Sequence, residues 1–295
     1  MSDIQQNSIK AWVLAARPKT LSGAVMPVLI GGVLALRQTG CDFNMVPFVL
    51  CVLFALIMQI DANFINDYYD FKKGTDRADR LDPERACAQG WITMPCMLKG
   101  IILTTMLAYA VGAPLIFYGG WWMVAVGAMC VVCCALYTLF LSYYGLGDVL
   151  VLLFFGIVPV VFTYWCIVGV ENLQLLSEAI IFGLGMGLAT DCLLMVNNYR
   201  DVNQDIISGK RTFVVMFGAR VGELAYLWLG IMAVMAVAAV VRLWASLMLP
   251  YLLLHVLSYR DLQRLSGREL NKVLGQTARN ILVFGILASA VVFSW

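Results

Sequence analysis

The sequence predicts an all-α, polytopic transmembrane bundle of about nine helices, because its apolar runs approach the ~20 residues that a helix needs to cross a bilayer core. Composition says the same. Of the 295 residues, 62% are hydrophobic and 13% are charged, whereas a soluble domain carries roughly a quarter charged residues. Mean hydropathy is +0.85. A soluble domain and a disordered chain are thereby excluded. The runs describe one integral-membrane domain spanning residues 1–295.

The first twenty residues are polar and hold Lys10, Arg17 and Lys19, and the run from Leu21 to Leu36 follows. No small-residue cleavage site follows that run, so it is expected to be a retained span rather than a signal peptide. It occupies 20–37 and is short. The next windows are 45–66, 97–118, 121–141, 147–169 and 177–198. Three more follow at 222–241, 243–259 and 277–295, the eighth being interrupted by Pro250 and His255. Trp121, Trp122, Trp165 and Trp295 lie near span ends, as interfacial aromatic belts do. Gly183, Gly185 and Gly187 suit close helix packing. No strand precedes them, so they are not read as a nucleotide loop.

Net charge is +2, from 20 Lys and Arg against 18 Asp and Glu. That leaves no bulk basic footprint for nucleic acid. The distribution is more informative. With nine spans, 18 of the 20 basic residues fall on the side of the N-terminus, and only Arg37 and Arg242 fall on the other. The positive-inside rule places the rich side in the cytoplasm. Most of the nine cysteines lie inside apolar runs, so a disulfide framework is not expected. Cys130 and Cys133 have zinc-like spacing but lack a second pair, and His255 is the one histidine. His255 is read as a packed or hydrogen-bonded residue.

Two long basic-side loops follow spans 2 and 6, and each opens with an acidic motif. The first contains Asn63, Asn66, Asp67 and Asp70, then Lys72, Lys73, Gly74, Thr75, Asp76 and Asp79. The second contains Asn197, Asn198, Arg200, Asp201 and Asp205, then Gly209, Lys210, Arg211 and Thr212. At about 100° per residue, Asn63, Asn66, Asp67 and Asp70 share an arc of roughly 100° if the helix continues. Asn197, Asn198, Asp201 and Asp205 do likewise, while Asp61 falls on the opposite side of its helix. Carboxylate and amide oxygens suit hard cations, and Mg²⁺ commonly combines one or two carboxylates with water and substrate phosphate. Two such stripes with basic residues between them fit a doubly metalated diphosphate. The EF-hand spacing of a Ca²⁺ loop does not occur.

At these residues the sequence resembles the UbiA superfamily of intramembrane aromatic prenyltransferases. The resemblance rests on Arg17-Pro18-Lys19-Thr20-Leu21, on Asn66-Asp67-Tyr68-Tyr69-Asp70, on Gly145-Leu146-Gly147-Asp148 and on Asn197-Asn198-Tyr199-Arg200-Asp201, and it covers essentially the whole chain. It departs from the general pattern in two places. Gly74 stands where a third Asp often occurs, and the second motif lacks the dense Asp cluster of the 4-hydroxybenzoate branch. The latter form is similar to the branch that prenylates 1,4-dihydroxy-2-naphthoate in menaquinone biosynthesis.

That resemblance implies nine helices around a central cavity in a bacterial inner membrane, with the N-terminus and both motifs cytoplasmic. It implies two Mg²⁺ ions, with Asn63, Asp67, Asp70, Asp201 and Asp205 as ligands and the four Asp as the catalytic set. Asn66, Lys73, Asn197, Asn198, Arg200, Lys210, Arg211, Arg17 and Lys19 would bind substrate, and Asp148 would orient the aromatic acceptor. The substrates would be a polyprenyl diphosphate and 1,4-dihydroxy-2-naphthoate, with loss of CO₂ and formation of demethylmenaquinol. The alternatives are another aromatic acceptor, such as 4-hydroxybenzoate, and a transporter. Asp191 sits ten residues before Asp201, about 15 Å deeper in span 6. It either faces the cavity or bonds a neighbouring helix.

Overall fold

Lipid offers the backbone no hydrogen-bond partner, so a long apolar run resolves into helix. A computed structural model describes residues 4–74, 85–139, 143–169 and 172–295, without the side chains of Lys19, Thr138 and Leu139. The helices are α1 (Ile9–Ala16), α2 (Pro18–Thr39), α3 (Met45–Lys72), α4 (Met94–Gly112), α5 (Ile116–Gly119), α6 (Trp122–Leu139), α7 (Gly147–Leu152) and α8 (Val158–Val168). They continue as α9 (Leu176–Arg200), α10 (Val202–Ile207), α11 (Phe213–Phe217), α12 (Ala219–Val241), α13 (Leu249–Arg264) and α14 (Leu270–Ser294).

Each expected span falls on helix, although 121–141 runs into residues that are not described. Among the described residues, seven stretches are long and apolar enough to cross a membrane. One of them, Ala219–Arg264, contains both the seventh and the eighth expected spans, and Trp122–Tyr137 is a shorter apolar helix. The eighth span begins later than its window. Residues Arg242–Met248 form a 3₁₀ turn, and Pro250 lies in the first turn of α13, where its missing N–H removes no helix bond. The short helices α1, α10 and α11 were not expected. Their apolar runs are too brief to register as spans.

The helix α9 is central, with 72% of its apolar stretch buried against 11% for the stretch Met94–Gly119. Its glycines explain how neighbours reach it. A side chain on Gly187 would meet the Leu152 carbonyl oxygen at 2.7 Å, and one on Gly183 would meet Ile157 Cα at 2.8 Å. Here α9 touches the backbone of a π-helical turn, Leu153–Ile157, that joins α7 to α8. Without a strong hydrophobic drive inside lipid, such backbone contact is what holds helices together. Gly187→Val should therefore lower stability by about 1–3 kcal/mol through overpacking. A thermal melt of the detergent-purified variant checks this, and an unchanged midpoint would refute the contact.

Buried polar side chains are used as interhelical ties. Asp61 accepts hydrogen bonds from Thr104 and, at 2.9 Å, from Thr105, linking α3 to α4. His255 stacks between Tyr226 and Tyr251, with ring centroids 4.7 and 5.7 Å away, and its Nε2 lies 3.2 Å from the Leu227 carbonyl. It is thus the packed, hydrogen-bonded residue expected. At the opposite end of the bundle, Arg37 covers the Trp295 ring at 3.7 Å.

Candidate active site

A polar cavity of about 730 Å³ opens where α3, α7 and α9 end or begin, and both acidic motifs contribute to its wall. The first motif is part of α3, which stays helical to Lys72 as the stripe required. Only one edge of its arc faces the cavity. Asn66 and Asp70, about 40° apart on the helix, line the wall.

Asn63 and Asp67 lie about 60° and 100° further round from Asn66, and they face α1 and the segment beginning at Arg85. Asn63 Nδ2 donates to the Ala16 carbonyl at 2.9 Å and to Thr20 Oγ1 at 3.1 Å. The two oxygens of Asp67 accept the backbone N–H groups of Ala86 and Cys87 at 2.9 and 3.0 Å. Both were expected as metal ligands and Asp67 also as catalytic. In this structure both side chains tie the cavity wall together. Burial and the Asp67 carboxylate push the Cys87 thiol well up.

The loop held by Asp67 delivers Arg85, whose Nη2 lies 3.2 Å from Asp70 Oδ2. Arg85 is 7% exposed and lines the cavity. Its sequence neighbours carry no motif, so nothing local announced it. Thr75, Asp76 and Asp79 lie outside the described residues.

The second motif breaks where the helix was expected to continue. The helix α9 ends at Arg200, and Asp201 links it to α10 with φ −97° and ψ 9°. The stripe nevertheless persists as Asn197, Asn198, Asp201 and Asp205, all on the cavity wall, together with Gln204 and Ser208. Those last two continue the helical spacing and were legible on that ground. Arg200, expected to bind substrate, is not on the cavity wall. Its fully buried guanidinium grips both Asp201 oxygens at 2.7 and 2.6 Å and donates to Asn271 Oδ1 at 2.7 Å. It holds the Asp201 carboxylate from both oxygens. Asn271 comes from α14 and had no local signal.

The two basic tails converge. Lys73 Nζ is 4.3 Å from the Tyr143 ring centroid and Lys210 Nζ is 5.9 Å from it. Burial lowers the Lys73 pKa, the Lys210 charge adds to that, and Asp70 opposes it. Lys210 lines the cavity, as do Arg17 and Asp148, whereas Lys73 and Arg211 are exposed and do not line it. Arg17 holds a left-handed conformation, φ 50°, between α1 and α2, a strained choice for a residue other than glycine. The Lys19 side chain lies outside the described residues. Asp148 Oδ1 is buried without a hydrogen-bond partner among the described residues. Asp191 is buried but lines neither this cavity nor the apolar one beneath it.

That second cavity, of about 520 Å³, is mostly apolar, and it shares Thr20, Asn66, Tyr137, Leu194 and Asn197 with the first. Tyr137 therefore stands where polar mouth and apolar interior meet, a role its sequence neighbours did not mark. Cys130 and Cys133 line the apolar part as filler, with no metal group around them among the described residues.

The polar cavity fits Mg²⁺ by donor chemistry. Asn66, Asp70, Asn197, Asp201 and Asp205 offer only oxygen and amide donors. Among the described residues no three acids form a preformed cage. An ion with few protein carboxylates completes its shell with water and substrate phosphate, which is the usual habit of Mg²⁺.

Comparison with known proteins places the chain in a family. A Haemophilus influenzae protein named 1,4-dihydroxy-2-naphthoate octaprenyltransferase is 32% identical over 95% of this chain and 95% of its own length. An Escherichia coli protein of the same name is 32% identical over 74% of this chain and 72% of its own. The solved structure of a UbiA homolog from Archaeoglobus fulgidus bound to GPP and Mg²⁺ superposes with a TM-score of 0.62 at 17% identity, covering 97% of this chain and 100% of that one. The model of the UbiA prenyltransferase family matches residues 24–293. This chain is a multi-pass membrane member of the UbiA prenyltransferase family.

Proposed function

We propose that the protein transfers a polyprenyl group from polyprenyl diphosphate to 1,4-dihydroxy-2-naphthoate, with loss of CO₂, to give demethylmenaquinol. The observation that carries this is the convergence of two acidic helix ends, Arg17, Arg85 and Lys210 on one cavity that continues into an apolar chamber. That is a place for a diphosphate and its hydrocarbon tail together. The names of the relatives support the naphthoate acceptor.

Asn66, Asp70, Asp201 and Asp205 would hold two Mg²⁺ ions, with Asn197 and Asn198 beside them. Bound metal supplies positive charge to the leaving diphosphate. Arg17, Arg85 and Lys210 bind the remaining phosphate oxygens by charge-assisted hydrogen bonds. Arg85 reaches them by exchanging its bond to Asp70, which frees that carboxylate for metal. As the allylic C–O bond breaks, the electron pair leaves with diphosphate. The electron-rich ring carbon attacks the allylic cation, and the ring carboxylate departs as CO₂, returning its electrons to the ring. The apolar chamber keeps water from the cation. Asp148 orients the acceptor through a ring hydroxyl, which satisfies its unpartnered oxygen. The basic face, and with it the site, lies in the cytoplasm of a bacterial inner membrane.

Purified protein given octaprenyl diphosphate, Mg²⁺ and equal 1,4-dihydroxy-2-naphthoate and 4-hydroxybenzoate should form the naphthoate product with release of CO₂. Prenylation of hydroxybenzoate alone would refute the acceptor assignment. Absence of both products, with directed flux of a solute in vesicles, would favour transport.

A further inference from the structure

The apolar chamber is a tunnel of definable depth. It follows α3 from Asn66 past Gln59 and Ala55 to Cys51, a helical rise of about 22 Å. Leu115, Met123 and Cys166, all buried, line its far part.

Two wall positions leave space that any other residue would fill. A Cβ on Gly23 of α2, or on Gly127 of α6, would meet no atom within 4 Å, yet both glycines line the tunnel. Gly112, also on the wall, differs. Its Cβ would lie 3.2 Å from the Phe54 ring, so that glycine serves packing. Depth separates the two open positions. Gly23 is one turn from Thr20, which lines the mouth, so it lies about 5 Å inside. Gly127 is ten residues from Tyr137 on the same helix, about 15 Å inside.

An extended isoprene unit, four C–C bonds of about 1.5 Å, spans about 5 Å. Gly23 thus stands beside the first unit and Gly127 beside the third. We propose that Gly127 determines donor chain length: its missing side chain admits the third and later isoprene units, and any larger residue there restricts the enzyme to short donors. This rests on the prenyl-transfer reading of the site.

The test compares geranyl diphosphate, with two units, and octaprenyl diphosphate, with eight, as donors to 1,4-dihydroxy-2-naphthoate. Wild-type protein is measured first, so that failure with both donors indicts the proposed function and not Gly127. Gly127→Leu should lower kcat/KM for the octaprenyl donor at least tenfold relative to the geranyl donor, and Gly127→Ala should fall between. Retained geranyl transfer certifies that the variant is folded. Gly23→Leu, nearer the mouth, should depress both donors together. An unchanged octaprenyl-to-geranyl ratio in Gly127→Leu and Gly127→Ala, or an equal loss of both donors in these variants, would overturn the assignment.

Discussion

Asp70→Asn and Asp205→Asn should each reduce kcat by about 10²–10³, the scale of losing a group that stabilises charge developing in the transition state, while leaving membrane insertion intact. The two residues belong to different motifs, more than a hundred residues apart, yet they line one cavity. Each is 8% exposed or less, so its carboxylate sits in a setting where electrostatics are weakly screened. Amide substitution keeps shape and removes charge. The Asp70 variant also releases its partner Arg85, which lies 3.2 Å away. Steady-state kinetics on protein with an unaltered melting midpoint checks the pair. Near-normal turnover in both would remove the metal-diphosphate reading of the cavity.

Asp201→Ala should behave differently, losing stability as well as activity. Its partner Arg200 is fully buried and spends two of its donors on the Asp201 carboxylate. Truncating one member of a buried pair costs about 3–5 kcal/mol. Asn271 still accepts one bond from Arg200, which places the loss toward the lower end. Asp201→Asn, which keeps one oxygen for the guanidinium, should recover much of the stability and little of the activity. The double variant Arg200→Met/Asp201→Asn should melt higher than Asp201→Ala and remain inactive. A melting midpoint for Asp201→Ala equal to wild type would show that Arg200 is not anchored there.

These two results mark the boundary of what the sequence reveals. Spans are legible because lipid imposes a length and a composition on every crossing helix, and the described part of each expected window falls on helix. The stripes are legible because helical rotation is local. Which edge of a stripe faces the cavity is not local. Asn63 and Asp67 share the arc of Asn66 and Asp70, but the backbone of Ala86 and Cys87 claims Asp67, and Ala16 and Thr20 claim Asn63. Both claims come from segments outside the motif. The same holds for Arg85, Tyr137 and Asn271, which reach the site through packing of distant elements. Arg200 is a related case. A basic residue beside an acidic motif suggests a ligand for phosphate, whereas its burial against α14 makes it a clamp on its own neighbour.

The central claim is that the acidic ends of α3 and α9 act jointly on one metal-bound diphosphate. Calorimetric binding of a non-cleavable prenyl thiolodiphosphate to the purified protein, with Mg²⁺ and with chelator, tests this most directly. Binding should require Mg²⁺ and should be lost in Asp70→Ala and in Asp205→Ala alike. Binding of equal strength in chelator, or dependence on only one of the two acids, would contradict it.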